Sequence, residues 1–176
     1  MPVESAATLS AGRRNRASDQ RRREGGYGAV VRLSVEPSLD PAEYPFRHRI
    51  RVRFAETDAM GIVHHSRYLP YMEETRVEYL RLLGHPYAEL RAEGLEYAVL
   101  ECFVRYRLPL RFDELVDVHL RLAEASRTSF QMAYLLTVDE AVRATGVTVH
   151  GCITAAGRPT RLPEWLTTLA RLDRPR

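Results

Sequence analysis

The chain has 176 residues, 45% of them hydrophobic, which suits one domain with a core of its own and makes a second domain hard to accommodate. Its net charge of +3 comes from one end: residues 1–32 hold seven arginines against three acids, while the remainder carries 19 arginines against 20 acids. The folded part is therefore close to neutral, which argues against nucleic-acid binding as its task.

Taken in chain order, residues 1–40 come first and read as an Arg-rich tail. Rich in Arg, Ser, Gly and Ala and poor in aromatics, the segment buries too little apolar surface to offset the entropy of ordering it. A disordered tail followed by one domain over residues 41–170 is the expected organisation. The N-terminus has no apolar run of a signal peptide, and nothing in the chain approaches the roughly 18 apolar residues of a membrane span. Cys102 and Cys152 lie singly in strand-like runs without metal-type spacing, as reduced core thiols of a cytoplasmic protein would.

From Phe46 the pattern alternates, with Phe46, His48, Ile50, Val52 and Phe54 on one face and Arg47, Arg49, Arg51 and Arg53 on the other, which predicts a half-buried strand. After an acidic turn from Asp58 to Gly61, Leu69, Met72, Thr75, Tyr79, Leu80 and Leu83 recur at helical spacing. A helix of about five turns is expected, capped by Ser66 and ended by Gly84, with a short second helix from Tyr87 to Gly94. Four further strands are predicted: Tyr97 to Leu108, Leu115 to Ala123, Ser129 to Val138 and Gly146 to Ala155. No long helix lies between them, so a parallel sheet lacks its crossovers and the sheet should be an antiparallel meander. The segment around Pro159 and Pro163 should close the domain, with Trp165 packing nearby.

The chemistry concentrates between Phe54 and Leu80. Here Glu-Thr-Asp-Ala-Met-Gly-Ile-Val-His-His-Ser-Arg-Tyr brings a carboxylate, Asp58, a few residues before the unsatisfied N–H groups of a helix start. A carboxylate to attack or to activate water, and an amide to polarise a carbonyl, are the parts of an acyl-transfer site. The residues also have plainer readings. Asp58 fits an ordinary turn acid, Glu56 a solvated charge at a strand end, Glu73 and Glu74 first-turn helix acids, and His48 and His150 satisfied core histidines. Adjacent His64 and His65 lack a spaced third ligand, so no metal site is expected.

This stretch resembles the signature of the hotdog-fold acyl-CoA thioesterases of the 4-hydroxybenzoyl-CoA thioesterase type, and the order of elements from about residue 46 to 166 resembles theirs too. The resemblance implies an α+β hotdog fold, with an antiparallel sheet of five to six strands wrapped on one long central helix. It maps the family's carboxylate onto Asp58, as nucleophile or as general base for water. It places the oxyanion-holding backbone N–H at His65, and substrate contacts at Gly61, Val63, His64 and Tyr68. Arg127, before a strand, is a candidate for coenzyme A phosphates. The family uses no cofactor beyond the coenzyme A of its substrate, and it builds the site between protomers, so a homodimer or homotetramer is implied. The rival readings are a thioesterase acting on an acyl-carrier protein, met by the strand-face arginines, an acyl dehydratase on the same fold, and a non-catalytic acyl-CoA binding module.

Overall fold

Alternation and turn chemistry together produce one antiparallel sheet. In the computed structural model, which describes residues 34–173, its strands are β1 (Phe46–Arg51), β2 (Leu95–Tyr106), β3 (Leu115–Ala125), β4 (Ser129–Val138) and β5 (Ala141–Thr154), in the order β1-β3-β4-β5-β2. The helices are α1 (Tyr68–Leu82), α2 (Tyr87–Ala92) and α3 (Glu164–Leu172). This is the expected α+β hotdog architecture, with α1 lying along the concave side of a five-stranded sheet.

The inward face of the sheet follows the alternation. Val116, Val118, Leu120 and Leu122 of β3 and Phe130, Met132, Tyr134 and Leu136 of β4 are all buried in the core with α1. β4 is buried along its whole length. Part of its outer face is covered by Tyr44 and Val35, which pack on Ala133 and Leu135. Ser34 bonds the Gln131 side chain there, so residues 34–40 of the expected tail pack on the sheet. The rest of that tail, residues 1–33, lies outside the described residues.

Four expectations are corrected. β5 starts at Ala141, because Asp139 and Glu140 (φ 48° and 65°) make a two-residue left-handed turn, pairing Val138 directly with Ala141. Phe54 is 75% exposed, since β1 ends at Arg51 and the chain turns into a 3-10 segment, Phe54–Glu56. α1 has 15 residues, about four turns, and no side chain caps it; the His64 ring, and not Ser66, caps the 3-10 turn His65–Arg67 that leads into it, accepting from the Ser66 N–H at 3.3 Å. Its buried face is turned toward Tyr68, Tyr71, Met72, Thr75, Arg76 and Tyr79, which leaves Leu69 partly exposed.

α3 is the element that the sequence pattern missed. Pro163 precedes its first residue, where proline starts helices as readily as it breaks them. Leu166 and Ala170 are buried, Trp165 stacks on His85 at 3.8 Å, and Asp173 accepts from the Tyr79 hydroxyl at 2.8 Å. Of the two thiols expected in the core, Cys152 is buried there and Cys102 is exposed.

α1 approaches β5 closely because position 146 has no side chain. A Cβ on Gly146 would stand 2.3 Å from Met72 Cε and 3.1 Å from the Phe103 carbonyl oxygen. Met72 has room to swing at its tip, whereas the backbone of β2 does not. Gly146→Val is therefore expected to cost about 1–3 kcal/mol through overpacking, read as a Tm lowered by several degrees in thermal unfolding.

Candidate active site

The residues after β1 form a short closed loop. Thr57 and Val63 bridge across its neck, the Asp58 N–H donates to the Ile62 carbonyl at 2.9 Å, and the His64 N–H donates to the Glu56 carbonyl at 2.9 Å. The Val63 N–H donates to the Leu110 carbonyl at 2.8 Å, which ties the loop to the segment before β3. At its tip the Gly61 N–H returns to the Asp58 carbonyl at 2.9 Å, with Gly61 at φ +70°, a conformation that glycine adopts without the strain of a Cβ. Asp58 uses Oδ1 to accept the Met60 N–H at 2.8 Å, the local bond expected of a turn acid. That bond occupies one carboxylate oxygen and leaves the other for chemistry.

Glu56 anchors this loop and corrects the reading of a solvated charge. It is 5% exposed, and its carboxylate accepts from the Arg53 N–H (2.8 Å), the Arg53 guanidinium (2.9 and 2.6 Å) and the Tyr71 hydroxyl (2.6 Å). Burial alone would raise its carboxyl pKa, but the bonds from Tyr71 and Arg53 outweigh burial and hold it below the ordinary value. Burial, and then the Glu56 carboxylate, push the Tyr71 phenol upward in turn.

A cleft of about 340 Å³ brings the two key positions together: Asp58 and His65 both line it, with Val63, Tyr68, Tyr106 and Leu108 among its other walls. His65 is the first residue of a 3-10 turn, His65–Arg67, that runs into α1, so its N–H is one of those a helix start leaves without an internal partner. On the other side of that residue, the Tyr106 hydroxyl donates to the His65 carbonyl at 3.0 Å. Tyr68 meets Tyr106 edge-on at 4.9 Å, and burial pushes the Tyr68 phenol upward. A carboxylate and a helix-start amide facing one cleft can attack a carbonyl and hold the oxyanion that forms.

The other sequence-derived positions are distributed around this centre. Gly61 shapes the turn without lining the cleft, and His64 is engaged as the cap, its Nδ1 2.8 Å from Ser66 Oγ and its ring 4.0 Å from that of His65. Arg127 is exposed in the β3–β4 turn, at the end of the sheet away from Leu115, so within one chain it is not brought to the cleft. His48 is not a core histidine: its Nε2 lies 3.1 Å from Glu74. His150 does sit in the core, 1% exposed and stacked on Phe130. The arginines at 47, 49, 51 and 53 pair within the chain, Arg47 and Arg49 with Asp117, Arg51 with Asp113 and Arg53 with Glu56, while all four side chains stay more than half exposed. Sequence reasoning gave Tyr71 and Tyr106 no place at the site, because nothing local to either marks a bond to a residue 15 or 41 positions away.

Among the described residues there is no helix long and apolar enough to cross a membrane, and no cluster of three or more His, Cys, Asp or Glu arranged to hold a metal.

Comparison with known proteins gives this geometry a family. A putative esterase of Aquifex aeolicus (strain VF5) is 42% identical over 120 residues, which cover 68% of this chain and 93% of that one. The acyl-CoA thioester hydrolase YbgC of Escherichia coli O157:H7 is 32% identical over 84 residues, 48% of this chain and 63% of its own length. Among solved structures, a thioesterase from Thermus thermophilus complexed with coenzyme A and Zn matches with a TM-score of 0.65 at 29% identity, over 76% of this chain and 98% of that one. The family described as the Thioesterase-like superfamily matches residues 52–169, well over half of the sequence, and the chain belongs to it.

Proposed function

We propose that this thioester hydrolase cleaves acyl-CoA to the free acid and coenzyme A in the cleft between the Asp58 loop and the start of α1. The observation that carries the reading is that Asp58 and the helix-start residue His65 line one cleft. The thioester carbonyl accepts from the His65 N–H, and the Asp58 carboxylate either attacks the carbonyl carbon or takes a proton from an attacking water. The negative charge that develops on the carbonyl oxygen is held by the amide, and collapse expels the coenzyme A thiolate. Where Asp58 itself attacks, the acyl group is left on its carboxylate as a mixed anhydride, which water then hydrolyses to the free acid and the restored carboxylate. The chemistry uses no cofactor apart from the coenzyme A handle. The unpaired thiols at Cys102 and Cys152 favour a cytoplasmic setting.

The working unit is proposed to be a dimer. β2 is an edge strand that exposes Val99, Phe103 and Tyr106, by 56%, 40% and 49%, beside an unpaired backbone, which pairing with a second copy would cover. Antiparallel pairing of two such edges turns the partner sheet end for end and carries the partner's Arg127 toward the Asp58 end, as a contact for coenzyme A phosphates.

Thiol release from short, medium, long and aromatic acyl-CoAs tests the reading. Turnover of at least one class supports it. Tight binding without turnover would favour a binding module, and turnover confined to acyl-carrier-protein thioesters would favour the carrier reading.

The amide has its own test. Proline at position 65 removes the N–H, and the first position of a helical turn tolerates it. His64, at φ −59° and ψ 135°, already has the extended backbone that a residue before proline needs. His65→Pro is therefore expected to fold and to lose about 10²- to 10³-fold in kcat, whereas His65→Ala, which keeps the N–H, should lose far less.

A further inference from the structure

A second cavity, of about 230 Å³, lies between α1 and the sheet, lined by Leu69, Glu73 and Arg76 of the helix and by Val99, Cys102, Tyr134, Thr148 and His150 of the strands. Its surface is mostly apolar, with a few buried polar groups set into it. Arg76 is 4% exposed and His150 is 1% exposed. Thr148 Oγ1 joins His150 Nε2 (2.8 Å) to the Tyr134 hydroxyl (3.2 Å). The remaining ring nitrogen, His150 Nδ1, is buried without a hydrogen-bond partner among the described residues. A fully buried cation and an orphaned ring nitrogen are costly to leave in place, and burying them against a cavity is a pattern expected of a binding surface rather than of a core.

We propose that this cavity is an acyl subsite that takes the far end of the acyl group, and that it selects acyl-CoAs whose far end carries a carboxylate held by Arg76. The proposal rests on the thioesterase reading for the placement of the thioester. Arg76 supplies the charge. Its guanidinium has five N–H donors; Nη1 bonds the Tyr87 hydroxyl, and Nη2 stands 3.6 Å from Glu73, outside hydrogen-bond range. The Glu73 side chain is 69% exposed, so solvent screens it and it offsets the buried cation only in part. The ring next to it adds no competing charge, because burial, and then Arg76, push the His150 pKa down to about 3 and keep it neutral. The donors not turned to Tyr87 or Glu73 are left to meet the two oxygens of a carboxylate, which would share the guanidinium with those two residues.

Position also fits. The Asp58 cleft is walled by His65 and Tyr68 on the helix and Tyr106 on β2, and the second cavity by Leu69, Glu73 and Arg76 and by Val99 and Cys102 on the same strand. His65, where the thioester would lie, and Arg76 are about 16 Å apart along the helix axis, and the Arg76 side chain, leaning back toward the N-terminus, shortens that span. An acyl chain of roughly ten carbons laid along the helix would bring its far end to the guanidinium.

The test uses matched thioesters of equal length. In the native protein, sebacoyl-CoA, which ends in a carboxylate, is expected to exceed decanoyl-CoA in kcat/KM by about 10- to 100-fold. Arg76→Gln should bring the two together, and Arg76→Lys, which keeps the charge without the fork, should restore part of the difference. The native comparison decides the matter even where a variant fails to fold. Calorimetric binding of both thioesters to the Asp58→Asn protein reads the same preference without turnover. Hydrolysis of both at similar rates would overturn the subsite and leave the thioesterase standing. Tighter binding of sebacoyl-CoA with no hydrolysis of any acyl-CoA by the native protein would support the subsite and overturn the hydrolase reading. A preference for a terminal hydroxyl over the carboxylate, in 10-hydroxydecanoyl-CoA, would also overturn the carboxylate assignment.

Discussion

Asp58→Asn is expected to leave a folded protein whose kcat on its best acyl-CoA falls by about 10²- to 10⁴-fold, with little change in KM. The substitution separates the role that the structure shows for this residue from the one proposed for it. One is local: Oδ1 accepts the Met60 N–H and holds the tip of the loop. An asparagine amide oxygen can accept the same bond, so the turn, its Gly61 and the bridge between Thr57 and Val63 should survive. The other role is chemical, and a neutral amide can neither attack a thioester carbon nor take a proton from water. Asp58→Ala should lose both, dropping in stability as well as in rate. Steady-state thiol release beside thermal unfolding distinguishes the cases. An Asp58→Asn protein with native turnover would mean that Asp58 is only a turn acid and that the attacking group lies elsewhere.

The strands were legible because they are amphipathic in the simplest way. Phe130, Met132, Tyr134 and Leu136 alternate in the sequence and all point into the core, and β4 occupies Ser129–Val138 as the pattern predicts. The antiparallel sense followed from connections too short for crossovers, but not the order: β2 pairs with β5 at the far edge of the sheet, where a meander would set it beside β1 and β3. Of the face predicted for α1, Met72, Thr75, Tyr79 and Leu80 are buried, whereas Tyr68, Tyr71 and Arg76 join them unannounced because a hydropathy pattern does not count such residues as core. Asp58 stood out from the residues alone, as an acid just before a helix start, and His65 through resemblance to a family; Tyr106 and Leu108 wall the cleft that both line. The Arg76 cavity had no signal at all: Arg76, Thr148 and His150 each look ordinary in sequence and acquire meaning only where the helix crosses the sheet.

Glu56 is where sequence and structure differ most, and it carries a prediction about stability. Replacing it with alanine is expected to cost about 2–4 kcal/mol, because the Tyr71 hydroxyl and the Arg53 N–H lose their acceptor inside the protein. Little of this comes from the Arg53 guanidinium, which is largely solvated. Glu56→Gln keeps an acceptor oxygen for Tyr71 but no charge, and should cost less. The pH dependence follows from the direction of the pKa shift. A carboxyl held below its ordinary value in the folded state contributes stability that is fully present above the unfolded value, near 4.5, and is lost as pH falls through the lower folded value. Urea unfolding of the native protein and Glu56→Gln should therefore differ most near pH 7 and converge as the solution is taken below about pH 4.5. Asp117, lowered chiefly by its bond from Arg49, leaves some acid sensitivity in both proteins. Because the Glu56 peptide also holds the His64 N–H at the far side of the loop, loosening this anchor should move Asp58 relative to the His65 amide and lower kcat. A Glu56→Gln protein as stable as the native one at pH 7, with a gap that does not narrow in acid, would show that the buried carboxylate is a bystander and that the loop is held by its backbone bonds alone.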